Sequence, residues 1–374
     1  MGIMPPVLHL EPGFEPVAAA FEAMLTDGRE LGGSVAVIRH GRPLFVAGGG
    51  TADHDGAPWT PETLVQVYST GKAIAAATVL AEVADGRLTL DDPVSRHWPE
   101  YRDDPSRPTS VRELLSHRAG KFAFPDETAD RDPLNTDALI AGLAAATPEF
   151  PEGIGSVEHA TTYGHLIDGL LRALGAPSVA ETARKLGELV GSRFRFGVAE
   201  GELPLVAELE LIDPDWVAPY LATDVARRAL TRPSGVLDPA MQNRADWRRS
   251  SFPAVGLHTD ALSLARWYDD LGRSLTTGEG RLHDRFGPEL LREAVTGQGV
   301  TVDGFVNGEA NWALGTRVDG GDIGMGGIGG SAAWYSPTHA YAMAYVTRGL
   351  GTHARVDELA DLVEACITRM PREA

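Results

Sequence analysis

A serine and a lysine three residues apart are the clearest candidates for chemistry in this 374-residue chain. Ser69 and Lys72 follow Tyr68 and stand directly ahead of an apolar run from Ala73 to Ala84. Residues three apart on a helix are neighbours, so the lysine amine would lie beside the serine hydroxyl. A hydroxyl needs such a base before it can attack a carbonyl carbon. The spacing therefore predicts a serine nucleophile, and the structural alternative is a helix N-cap at Ser69 with Lys72 in solvent.

Lysine is scarce in the chain, which strengthens the prediction that Lys72 has a chemical role. The other lysines are Lys121 and Lys185, whereas arginine occurs 30 times. Arginine stays protonated in proteins, but lysine can lose its proton when it is desolvated. A lysine beside Ser69 thus favours a group that exchanges protons with the hydroxyl.

Helices and strands on both sides of this motif must position it. The apolar run behind Ser69 predicts a long and largely buried helix, and alternation around His40 and Gly41 predicts a pair of strands. The predicted strands span Ser34 to Val46, Trp312 to Gly315, Ile323 to Trp334 and Tyr341 to Arg348, and the further predicted helices span Glu15 to Thr26 and Arg355 to Met370.

Several further segments resemble the serine β-lactamase and penicillin-binding-protein superfamily, in particular its β-lactamase-related carboxylesterases. They follow one another in family order across nearly the whole chain, which short chance matches would not do. Besides the Ser69 motif, the segments are Glu30 to Val37, Pro58 to Thr60, Asp91 to Val94, His97 to Glu100, Leu114 to Gly120, His159 to Gly164 and Gly324 to Ser331.

The resemblance implies an α/β (α+β) fold of serine β-lactamase type, with an antiparallel sheet flanked by helices and a second, helical part. Residues 14–65 and 250–374 would form the discontinuous sheet domain. Residues 66–249 would form a mainly helical domain that carries the Ser69 helix, and residues 1–13 an N-terminal extension. The active site is expected in the cleft between the two domains.

The same resemblance implies which groups surround Ser69. The backbone N–H groups of Ser69 and Ile328 would form the oxyanion hole, and Gly327 would keep that strand clear for the substrate. The remaining candidates for substrate binding are Tyr68, Met325, His258 and Trp334.

Glu158 is the most consequential departure from the related esterases, which carry at this position the tyrosine that shuttles protons. A carboxylate close to Lys72 would stabilise the ammonium and raise the pKa of the lysine. Glu158 is therefore a candidate base, with Lys72 as its electrostatic or acid partner, although the pair could equally be inert.

Two further departures affect substrate recognition. Met325 stands where the family often has His, Lys or Trp, and a thioether cannot donate a hydrogen bond. His258 is what remains of an Asn-Gly-His motif. We therefore expect weak or absent hydrolysis of β-lactams, whose carboxylate needs such a donor.

These residues predict a serine hydrolase of esterase type that acts on a small ester, lactone or amide through Ser69. The alternatives are an acyltransferase or a non-hydrolytic cyclase, lyase or isomerase in the same cleft, and a catalytically inactive binding protein. No cofactor is expected. His117 is predicted to be a satisfied structural histidine, and the spacing of His159 and His165 does not fit a helical metal pair.

Composition narrows the possible partners. A net charge of -19 argues against nucleic-acid binding, because phosphate recognition needs a basic face. The chain has no recognisable secretory leader and no apolar run of the roughly 20 residues that span a membrane, so a cytoplasmic location is expected. Cys366 is the only cysteine, which excludes an intrachain disulfide. The oligomeric state stays open.

Overall fold

The computed structural model describes residues 7–126 and 132–370, and its centre is a seven-stranded antiparallel sheet. Its strands are β1 (Val7–Leu10), β2 (Gly32–Arg39), β3 (Arg42–Gly50), β10 (Arg317–Asp319), β11 (Asp322–Gly326), β12 (Ala332–Ser336) and β13 (Tyr341–Thr347). Across the sheet they lie in the order β1-β3-β2-β13-β12-β11-β10. Since β2 pairs with β13, segments from the two ends of the chain meet in the middle of the sheet.

The β2–β3 hairpin forms where the sequence predicted it. Its turn residues His40 and Gly41 have φ values of +51° and +77°, as a two-residue turn that matches the strand twist requires. Along β2 the side chains alternate between the two faces of the sheet, as the period of a strand demands. Val35 and Val37 belong to the core on one face and Ala36 to the core on the other.

Helices cover both faces of the sheet. On one face α1 (Glu15–Thr26) packs beside α14 (Ala354–Arg369), and on the other α11 (Ala261–Thr276) crosses β2, β12 and β13. The helical part is built around α2 (Lys72–Ala84), which is buried from Lys72 to Glu82. The predicted long buried helix is therefore confirmed.

The other elements are short and connect these layers. The remaining helices are α3 (Val94–His97), α4 (Val111–Leu115), α5 (Thr136–Ala145), α6 (Tyr163–Ala173), α7 (Val179–Leu189), α8 (Asp224–Leu230), α9 (Pro239–Gln242), α10 (Ala245–Arg249), α12 (Arg281–Phe286) and α13 (Pro288–Val295). The remaining strands are β4 (Val65–Gln66), β5 (Arg195–Phe196), β6 (Glu210–Leu211), β7 (Leu257–Thr259), β8 (Val300–Asp303), β9 (Gly308–Asn311) and β14 (Gly349–Leu350). They form a three-stranded sheet β4-β7-β5, a hairpin β8-β9 and a parallel pair β14-β6.

The predicted mixed fold is confirmed, with two local differences. Residues 1–13 were expected as an N-terminal extension, and within that segment Val7–Leu10 form an edge strand that pairs with β3. Trp312 to Gly315 were expected to form a strand, but the segment makes only an isolated bridge at Trp312. There Gly315 turns with a φ of +90° against α2, where a Cβ would lie 2.3 Å from Ala76. Of the helices in the described residues, none is long and apolar enough to cross a membrane.

Candidate active site

Ser69 lies in a short 3-10 turn, Tyr68–Gly71, that leads straight into α2. Tyr68 has a φ of +49°, a left-handed conformation that is unusual for a bulky residue. Its phenol donates a 2.6 Å hydrogen bond to Gln242, and its ring meets Trp216 edge-on at 5.7 Å between centroids. Backbone strain of this kind persists only where packing over-determines it. The turn therefore holds Ser69 in a fixed orientation.

Lys72 is fully buried and reaches back to Ser69. Its Nζ donates to Ser69 Oγ at 2.5 Å and to the carbonyl oxygen of Ala160 at 3.1 Å. Glu158 Oε1 lies 3.1 Å from the same Nζ. The predicted contact between hydroxyl and amine is therefore confirmed, and the alternative of a solvated Lys72 is excluded.

Burial governs the protonation of Lys72 and Glu158. Removal from water disfavours charge, so it lowers the pKa of Lys72 and raises the pKa of Glu158. Glu158 raises the pKa of Lys72, as the sequence predicted, but burial is the larger cause, and the expected net rise is therefore wrong. The two shifts bring the pKa values of the amine and the carboxyl closer together. Such a pair titrates as a unit and can exchange a proton with Ser69.

His117 holds the segment that carries Glu158. The N–H of Val157 donates to the His117 carbonyl at 3.1 Å, and the N–H of His159 donates to His117 Nδ1 at 3.1 Å. Burial lowers the pKa of His117 well below its usual value, so the ring is neutral. The bond from the His159 N–H then makes Nδ1 the unprotonated, accepting nitrogen. The expectation of a fully satisfied histidine is wrong for Nε2, which has no hydrogen-bond partner among the described residues.

The turn of Ser69 packs against the loop that carries Ile328. Thr70 Oγ1 donates to the carbonyl oxygen of Ser331 at 3.3 Å and thereby ties the turn to the loop. Within residues 7–126 and 132–370, neither the Ser69 N–H nor the Ile328 N–H donates to another backbone group. Both residues line the same cavity. Their N–H groups are thus free to stabilise a developing oxyanion.

Gly327 allows this close approach. A Cβ at residue 327 would lie 2.3 Å from the carbonyl oxygen of Val67 and 3.0 Å from Thr70 Oγ1. Any side chain would therefore separate the end of β11 from the turn of Ser69. Gly327 itself lies behind the cavity surface, where its N–H donates to the Ser331 carbonyl at 2.7 Å.

The cavity over Ser69 has a volume of about 770 Å³. One wall is mainly apolar and includes Tyr220, Phe305 and Trp312, and the rim on the side of β10 and β11 includes Asp319 and Asp322. Of the residues predicted from the sequence, those that line the cavity are Ser69, Glu158, Met325, Ile328 and Trp334.

Tyr68 and His258 do not reach the cavity. Each is 1% exposed. His258 lies on β7 between Gln66 and Arg195, and burial lowers its pKa to about 4. Their positions support packing roles, because neither side chain lines the cavity over Ser69.

Sequence reasoning missed several parts of the site. Three groups of the site have no recognisable spacing relative to Ser69 in the sequence. They are the Ala160 carbonyl, the aromatic wall at Tyr220 and Phe305, and His353 at the start of α14. They reach the cavity only through folding, so a local pattern could not reveal them. No group of three or more His, Cys, Asp or Glu side chains in the described part of the chain is placed to hold a metal ion.

Comparison with known proteins agrees with this geometry. The family model described as Beta-lactamase matches residues 17–365. The chain belongs to the beta-lactamase family. It is 29% identical over 363 residues to the esterase/beta-lactamase LipL of Mycobacterium tuberculosis. That alignment covers 90% of this chain and 81% of LipL. Esterase EstB of Burkholderia gladioli is 39% identical over 194 residues, about half of either chain (47% and 49%).

Two solved structures share the fold of this chain. A penicillin-binding-protein homologue from Caulobacter crescentus superposes with a TM-score of 0.80 at 28% identity, over 96% of this chain and 99% of its own. A family VIII carboxylesterase superposes with a TM-score of 0.83 at 24% identity, over 96% and 99% of the two chains. The esterase relatives support a hydrolase-like enzyme, and the two solved structures show the fold.

Proposed function

We propose that the protein hydrolyses a small ester through an acyl-enzyme on Ser69, with Lys72 and Glu158 as the pair that accepts and returns the proton. The observation that supports this most strongly is the position of the Lys72 amine, which is buried 2.5 Å from Ser69 Oγ and 3.1 Å from Glu158. Activation of a serine requires an adjacent base of this kind.

The proposed reaction has two steps. Ser69 Oγ attacks the carbonyl carbon while its proton passes to the Lys72–Glu158 pair, and the N–H groups of Ser69 and Ile328 stabilise the oxyanion. The tetrahedral adduct collapses, the C–O bond to the leaving group breaks, and the alcohol departs with that proton. Water then attacks the acyl carbon and gives a proton to the pair, which returns it to Ser69 as the acid leaves.

The cavity favours an ester with an uncharged acid part. Tyr220, Phe305 and Trp312 provide an apolar wall, which gains stability by covering apolar substrate surface. Met325 offers no hydrogen bond to an anion. Arg317 in the lining pairs with Asp319 at 3.1 Å, while Asp322 and Asp357 add negative charge to the cavity. Neutral esters should therefore react faster than substrates that carry a carboxylate.

The substitution Ser69→Ala tests the proposed function directly. Wild-type protein should be labelled by a fluorophosphonate and should turn over a chromogenic short-chain ester, whereas Ser69→Ala should lose both, because the acyl-accepting oxygen is gone. The measurements are intact-protein mass spectrometry and initial rates.

Ser116→Ala provides the matched control, because Ser116 is also buried but its hydroxyl donates to the Arg112 carbonyl at 2.8 Å, away from the cavity. This variant should keep labelling and turnover. Labelling that persists in Ser69→Ala, or a wild-type protein that is neither labelled nor active on esters, would contradict the proposed function.

A further inference from the structure

A buried ion pair joins the two ends of the chain behind the loop of Ile328. Arg355 on α14 places Nη1 2.7 Å from Glu30 Oε2, and both residues are almost fully buried. Glu30 also accepts the hydroxyl of Tyr345 and, at 3.0 Å, the hydroxyl of Thr347. The backbone N–H groups of residues 31 and 32 donate to Oε1 at 2.8 and 2.9 Å. The carboxylate is thus saturated with donors, as a buried charge needs to be.

The other side of the Arg355 guanidinium faces the loop. Nη2 lies 2.5 Å from the carbonyl oxygen of Gly349 and 3.4 Å from that of Gly329. The N–H of Gly351 donates to the same Gly329 oxygen at 3.1 Å. Gly329 directly follows Ile328 in the chain. Arg355 therefore contacts the carbonyl of the residue that follows the proposed oxyanion donor, and it does not line the cavity.

Glycine alone fits this loop beside the guanidinium. Gly329 and Gly330 have φ values of +101° and +114°, which side-chain-bearing residues rarely adopt. A Cβ on Gly330 would lie 3.1 Å from Arg355 Nη2. A loop this rich in glycine has many conformations in isolation, so an outside contact must select the one in which the Ile328 N–H faces the cavity.

We infer that Arg355, held by Glu30, is a positioning residue that fixes the oxyanion-binding conformation of the loop 327–331. This inference rests on the proposed function, since it assigns Arg355 a part in the same reaction. The guanidinium suits the task because it is planar, always charged and able to bond a carboxylate and carbonyl groups at once. Lysine at this position would keep the charge but could not make all of these bonds.

Arg348 offers a matched control within the same part of the fold. It is also a buried arginine, and its guanidinium donates to the carbonyl oxygens of Glu208 and Asp53 and pairs with Glu210. Unlike that of Arg355, its guanidinium makes no hydrogen bond to the loop 327–331 in the described part of the chain; its partners are elsewhere. Arg348→Lys should therefore lower stability without altering the oxyanion hole.

The test compares Arg355→Lys, Thr347→Val and Arg348→Lys in the full-length protein. Thr347→Val removes the hydroxyl that lies 3.2 Å from Arg355 Nη1 and keeps the shape of the side chain, so it should fold even if Arg355→Lys does not. We expect kcat for a short-chain ester to fall by about tenfold to a hundredfold in Arg355→Lys, the range for a misplaced catalytic group. KM should stay within about twofold.

An ester and its thionoester, in which sulfur replaces the carbonyl oxygen, provide a readout that folding alone would not move. A formed oxyanion hole fits oxygen at hydrogen-bond distance and tolerates the larger sulfur poorly. The preference of kcat/KM for the oxygen ester should shrink in Arg355→Lys, less so in Thr347→Val, and not at all in Arg348→Lys. An unchanged preference in both Arg355→Lys and Thr347→Val would overturn the inference.

Hydrogen–deuterium exchange separates this inference from the proposed function, because it needs no turnover. The N–H groups of Gly327 and Gly330 are bonded within the loop, so a peptide that covers 326–331 should exchange faster in Arg355→Lys than in Arg348→Lys. If the wild-type protein proves inactive on esters, the proposed function fails, and the exchange result still decides whether Arg355 orders the loop. Equal exchange in the two variants would refute the positioning role.

Discussion

At the level of single residues, the exchange of a tyrosine for Glu158 that the resemblance to related esterases implies would change how the site handles protons. A free phenol has a pKa near 10, whereas Glu158 is a carboxyl whose pKa burial raises toward that of its lysine neighbour. The pKa of Lys72 moves the opposite way. The two opposite shifts favour passage of a proton between the carboxyl and the amine.

Glu158→Gln should lower kcat by about a hundredfold or more, the range for a lost general acid or base. In the wild type, the acid limb of kcat/KM should lie above the ordinary glutamate pKa of about 4.3, because burial raises the pKa of Glu158. This acid limb of the profile reports the uptake of a second proton by the Lys72–Glu158 pair as the pH falls. Glu158→Gln should therefore shift the acid limb or remove it. The measurement is the pH–rate profile of both proteins.

Asp168→Asn is the control for a change in a buried carboxyl. Asp168 is as buried as Glu158, burial likewise raises its pKa, and it pairs with Arg172 on α6 instead of with the site. The pH–rate profile of Asp168→Asn should match that of the wild type.

A different result would contradict the catalytic role of Glu158. If Glu158→Gln leaves kcat unchanged while Glu158→Tyr gains esterase activity, Glu158 merely replaced a lost proton shuttle.

At the level of elements, the site depends on how closely the turn of Ser69 approaches the end of β11. The turn is strained at Tyr68, and the opposing strand has a glycine where the two meet. The side-chain bond from Thr70 to Ser331 crosses the same contact. The distance between the two oxyanion donors is therefore set by backbone packing.

Gly327→Ala should reduce kcat by more than about tenfold, because the new methyl group would push β11 away from the turn and widen the oxyanion hole. Gly201→Ala is the control, since a Cβ there meets nothing within 4 Å and the backbone is not left-handed. Rates on a short-chain ester, with circular dichroism as a check on folding, measure the effect. A fully active Gly327→Ala protein would show that the close approach is unimportant.

The elements also show which parts of the site a sequence can reveal. Ser69 and Lys72 meet through the local geometry of one turn, so their spacing was enough to predict the contact. Glu158 could be placed near them only through the resemblance to related esterases. Two other contacts join residues that are distant in sequence. One is the bond between His117 and the segment of Glu158, and the other is the bond between Arg355 and the loop of Ile328. No periodicity encodes such contacts, because they depend on how separate elements pack.

For the molecule as a whole, buried histidines link stability to pH. Burial lowers the pKa of His159 and of His165 to about 3 and lowers that of His117 well below its usual value. All three take up a proton more readily in the unfolded chain, where the pKa is near 6.5. Their contribution to stability is therefore complete above about pH 6.5 and is lost progressively as the pH falls toward the folded values.

His165→Phe should weaken this pH dependence. The imidazole lies between Phe124 and Phe252, at 5.3 and 4.5 Å between centroids, and neither of its nitrogens has a hydrogen-bond partner in the described residues. Each such histidine contributes a slope of up to about 1.4 kcal/mol per pH unit. The melting temperature of the variant should fall less between pH 7 and pH 4.5 than that of the wild type. Parallel curves for the two proteins would contradict this account.

The pairing of β2 with β13 has a consequence for protein synthesis. A ribosome releases the amino end first, so Ser69, Lys72 and Glu158 leave the exit tunnel long before Ile328 and Arg355. Strand β13, which completes the middle of the sheet, is made after Ser69, Lys72 and Glu158. On the proposed mechanism, a nascent chain that has not reached Ile328 carries its nucleophile without an oxyanion hole. The enzyme then becomes active only after the segment that contains Ile328 and Arg355 has been made.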